Sequence, residues 1–110
     1  MKHISNADKS LLVGDEAAEV LVHYAAVLAS HQQADSVEIK AIGSDGDAVV
    51  ALFLLNSGTN LIAESASADL PAPDNADAVA YMNKRIQQFE NPPSALPDDE
   101  SWRVEGEGYS

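Results

Sequence analysis

The longest uninterrupted apolar run in the chain is Ala48–Leu55, read Ala-Val-Val-Ala-Leu-Phe-Leu-Leu, with Gly46-Asp47 before it and Asn56-Ser57-Gly58 after it. Side chains of a strand alternate between two faces, so apolar residues at every position predict a strand covered on both sides. β-branched and aromatic residues, with turn chemistry at both ends, favour a strand over a short buried helix. The run is therefore expected at the centre of a small sheet.

Other segments carry clear periods. In Ser36–Ile42, Val37, Ile39 and Ala41 alternate with Glu38 and Lys40, which predicts a strand with one wet face. Asp45-Gly46 between these two strands supplies the positive φ that a tight hairpin needs. Asn56–Asn60 reads as a second turn and Leu61–Ser67 as a third strand, so the three are expected to form a meander. Upstream, His3–Ser5 and Lys9–Val13 flank the turn residues Asn6-Ala7-Asp8 and predict a hairpin.

Helical spacing appears twice. Ala17, Val20, Leu21, Tyr24, Val27 and Leu28 recur every three or four residues and predict a helix over Asp15–Ser30, with Asp15 as its N-cap. Val79, Met82, Ile86 and Phe89 form a second stripe, on a helix from an Asp74 cap to about Glu90. Tyr81 falls off that stripe, one turn from Arg85, where the two can pack together. Ala68–Pro73 is an extended connection, because its two prolines forbid regular backbone pairing.

The order is β-β-α-β-β-β-α: an α+β fold with about five mainly antiparallel strands and two helices. Profilin-like and longin-like domains share this connectivity. The likeness is one of topology alone, and topology does not fix function. Residues 1–90 read as a single domain. Residues 91–110 hold three prolines, two glycines and five acids against one arginine, the composition of an acidic unstructured tail. That tail nevertheless carries the only tryptophan, in Ser101-Trp102-Arg103-Val104-Glu105.

Charge changes the picture most. Six basic residues against eighteen acidic ones give a formal net charge of −12. Such a chain repels phosphate backbones and anionic lipid surfaces, so nucleic acid and membrane are poor partners, whereas a basic protein is a compatible one. The apolar stretch Ala17–Ala29 is too short to span a bilayer and contains Glu19 and His23. The chain has no cysteine, which excludes disulfides, thiolate metal sites and thiol catalysis, and fits a cytoplasmic setting.

Candidate chemistry is sparse. There is no Gly-x-Ser-x-Gly elbow, and nothing in the spacing brings His3, His23 or His31 to Ser44 in its Gly-Ser-Asp-Gly turn. No glycine-rich loop leads into a helix to cradle a phosphate, and no cofactor is implied. Asp45-Gly46-Asp47 lacks the spacing of a calcium loop. Glu16, Glu19 and His23 line one stripe of the first helix and are the candidate metal ligands, although the second helix offers no histidine to complete a site. The competing reading pairs Glu19 with His23 one turn apart on a solvated face.

Interaction is the remaining class. Two helices on one side of the sheet would leave Val50, Leu52 and Leu54, or the alternate set Val49, Ala51, Phe53 and Leu55, in need of another cover. A second copy of the chain, a basic partner, or the tail through Trp102, Arg103 and Val104 would supply it. The alternative is a small-molecule or catalytic pocket between the sheet and the Leu70–Asn75 connection.

Overall fold

The computed structural model describes residues 1–91. Seven elements follow the expected order: β1 (Lys2–Asn6), β2 (Lys9–Val13), α1 (Asp15–Ser30), β3 (Asp35–Ile42), β4 (Ala48–Leu55), β5 (Ile62–Ser65) and α2 (Ala76–Glu90). The five strands make one antiparallel sheet in the order β4-β3-β2-β1-β5, with the two helices packed on one side.

That order corrects the sequence reading in two places. β4 is an edge strand, bonded to β3 alone, and β5 leaves the expected meander to pair with β1 at the opposite edge. The Asn56–Asn60 turn accounts for the departure. Thr59 Oγ1 accepts the Asn56 N–H at 2.8 Å and donates to the Leu54 carbonyl, while Asn56 Oδ1 takes the Gly58 N–H. The turn thus consumes the groups at the end of β4 that a hairpin return would have used, and the chain leaves for β1. An apolar run records that a strand tolerates burial, not that neighbours lie on both sides of it.

The core lies between the sheet and the helices. From α1 it takes Ala18, Leu21, Tyr24 and Leu28, from α2 Met82 and Ile86, and from the sheet Ile4, Val13, Val37, Ile39, Ala41 and Leu55. The predicted periods account for these faces. On β3, Val37, Ile39 and Ala41 point inward while Ser36, Glu38 and Lys40 are exposed.

Helix and hairpin ends follow local chemistry, with some reassignment. Gly14, not Asp15, is the N-cap of α1, and Asp15 is its first helical residue. Asn75 is the N-cap of α2, while Asp74 Oδ1 accepts the Ala76 N–H at 3.0 Å. The C-terminus of α1 closes through Gln33 N–H to Leu28 C=O and Gln32 N–H to Ala29 C=O, with Gln32 at φ 55° in the left-handed position usual for such an ending. Gly46, at φ 89°, takes the expected place in the β3–β4 turn.

Between β2 and β3 the sheet is almost divided. A single pair, Leu12 with Ile42, joins them. Two residues earlier on β3, the buried Asn75 side chain takes the place of a strand: its Oδ1 accepts the Lys40 N–H and its Nδ2 donates to the Lys40 C=O, each at 2.8 Å. A carboxamide presents the same donor and acceptor pair as a peptide group, so it can continue a ladder where backbone is missing. Replacing Asn75 with Ala strands that N–H and C=O, and should cost about 2 kcal/mol. Asn75→Asp, which sets a carboxylate against the Lys40 carbonyl, should cost at least as much at neutral pH. The midpoint of urea unfolding measures both, and an unchanged midpoint in either variant would show that the bridge contributes nothing.

Candidate functional site

Two places in the molecule combine unusual chemistry with defined geometry: a polar cluster between the helices, and the outer surface of β4.

The cluster is built on Asp35, the first residue of β3. Its Oδ2 accepts hydrogen bonds from Tyr24 of α1 and Tyr81 of α2, each at 2.5 Å, and its Oδ1 accepts the Ser36 N–H at 2.8 Å. The two tyrosine rings meet edge to face at 6.3 Å. Arg85 Nε donates to the Tyr24 hydroxyl at 3.4 Å, and its guanidinium lies over the Phe89 ring at 5.1 Å. Tyr81 is thus engaged with Asp35, where the sequence reading packed it on Arg85.

Burial opposes charge on Asp35, but the Tyr24, Tyr81 and Ser36 hydrogen bonds and the nearby Arg85 charge together hold its carboxyl below the usual range. Tyr24 is pushed well above the ordinary tyrosine value, first by burial and then by its bond to Asp35. Tyr81 is raised chiefly by its own bond to Asp35. Each of these shifts keeps the tyrosines protonated donors and Asp35 an ionised acceptor. That arrangement ties α1, β3 and α2 together.

The surface of β4 is the other place. Asn75 bonds the N–H and C=O of Lys40, so those groups point away from β4, and in the Lys40–Val50 pair the backbone groups of Val50 also point outward. By alternation, Ala48, Leu52 and Leu54 do the same. Their side chains lie on the face of the sheet opposite the helices, where Val50 is 61% exposed, Leu52 73% and Leu54 64%. Val50 and Leu52 thus combine open side chains with backbone donors and acceptors at the edge, whereas the Leu54 carbonyl is already taken by Thr59. Among the described residues, Val50 and Leu52 find no backbone partner there. On the helix side, Val49, Ala51 and Phe53 are only half-buried. Clefts of about 680 and 520 Å³ beside β4 are shared with the β1–β2 hairpin around Lys9 and Leu11, and Val50, Leu52 and Leu54 are among the residues that line them.

Other candidates do not converge. Glu19 lies 3.8 Å from Lys2 and His23 lies 3.5 Å from Glu90, so the expected Glu19–His23 pair is replaced by two separate contacts. Glu16 joins neither, and no three such ligands gather around a metal position among the described residues. Beside the 70–75 connection, an apolar cleft of about 350 Å³ has His3, Leu12, Ile42 and Leu70 in its walls. The fold does bring His3 and Ser44 to this one cleft, which the spacing did not suggest. A second cleft, of about 340 Å³ at the start of α2, brings Glu38, Lys40, Asp74 and Asp77 together with Val50 of β4. Trp102, Arg103 and Val104 lie outside the described residues.

No protein family, curated protein or solved structure matches this chain. No helix among the described residues is long and apolar enough to cross a membrane. The functional reading therefore rests on the two sites themselves. The sequence signalled Val50, Leu52 and Leu54 through the length of the apolar run. It gave little sign of the Asp35 cluster, whose members are spread from residue 24 to residue 85; the one available cue was Tyr24, a hydroxyl on an apolar helix face that needs a partner.

Because the folded-state pKa of Asp35 is depressed, its contribution is complete above the unfolded carboxylate value of about 3.9 and is lost as pH falls through the lower folded value. Asp35→Asn should therefore lower stability at neutral pH and narrow its gap to the parent chain as pH falls below the ordinary carboxylate value. Tyr81→Phe should cost about 1 kcal/mol at neutral pH, since it removes one bond to a charged acceptor at a half-exposed position. Thermal unfolding across a pH series measures both. A gap that stayed constant into strong acid would contradict the ionised role of Asp35.

Proposed function

We propose that this chain is a small acidic contact module of the cytoplasm, which works by adding a strand from another polypeptide to the open edge of β4. The observation that carries this reading is the coincidence of exposed apolar side chains and outward-facing backbone groups on Val50 and Leu52, with the exposed Leu54, whose carbonyl Thr59 already bonds, at the end of the row. Strand addition uses both at once: the backbone ladder gives affinity, and alternate side chains give selection.

A comparison of the two edges supports it. Edge strands ordinarily carry a charge, a proline or a bulge, or are kept short, because an open ladder invites unwanted pairing. β5 has such devices: it is four residues long and places Glu64 in the strand. β4 is eight residues long and has neither a charged residue nor a proline. Leaving this edge unprotected is costly in solubility unless something pairs with it.

The Asp35 cluster fits a different role. Its polar groups are spent on one another, and none of the described clefts has Asp35, Tyr24 or Tyr81 in its walls. It holds the helices against β3 and leaves chemistry to other surfaces.

The reading is tested by placing a photoreactive residue at position 52 and, as a control, at the exposed position Glu16 on α1. In cells producing the chain, adducts should form from position 52 and not from position 16. Equal labelling from the two positions, or none from position 52, would refute β4 as the contact surface.

A further inference from the structure

We draw no further inference here: the strongest candidate, the exposed apolar face of the edge strand β4 with Val50, Leu52 and Leu54, carries nothing beyond the contact reading because nothing in the structure shows what covers it.

Discussion

The sheet depends on the carboxamide of Asn75. β2 and β3 share one backbone pair, and beyond it the ladder would lapse into unpaired N–H and C=O groups at Lys40. Unpaired backbone in a buried setting costs as much as several weaker contacts can return. Asn75 fills that gap from the N-cap of α2, so one side chain both continues the sheet and anchors the helix to it. The same bond fixes which backbone groups of β3 face away from β4, and with them the direction of every peptide group along the outer edge.

Several consequences follow from the β3–β4 hairpin being held in this way. α2 packs on β3 and on α1, and the Asp35 cluster draws the three together at the far end of the strand. β4 lies one strand beyond that cover. Its inner face is half-buried, its outer face is open, and only Leu55, next to Asp35, reaches full burial. A strand of this composition in this position has more apolar surface than its own chain covers among the described residues, and pairing is the physical remedy that uses side chains and backbone together.

Much of this was legible in the sequence. The element order, the α1 span and the inward sets on β3 and α2 follow from periods of 2 and 3.6, which depend only on nearest neighbours along the chain. What failed to be legible was pairing. Nothing in Ala48–Leu55 states whether one strand or two lie beside it, and nothing in Ile62–Ser65 states that its partner is β1. The turn at Asn56–Asn60 decided that, through side-chain bonds to its own backbone. Polar contacts between distant residues were equally hidden. Asn75, at the end of the Leu70–Asn75 connection, bonds residue 40, and Asp35, one residue ahead of the predicted strand Ser36–Ile42, gathers two tyrosines from different helices. The surface set Val50, Leu52 and Leu54 was singled out by a different route, as apolar residues in excess of what two helices could cover.

The most direct measurement is amide hydrogen exchange along β4 in dilute protein, resolved residue by residue. The account predicts alternation within one strand. Ala51 and Phe53, bonded to β3, should exchange slowly. Val50 and Leu52, which have no backbone partner among the described residues, should exchange quickly. Uniform protection of all four in dilute monomer would mean that β4 is already covered on both edges, and would contradict the account.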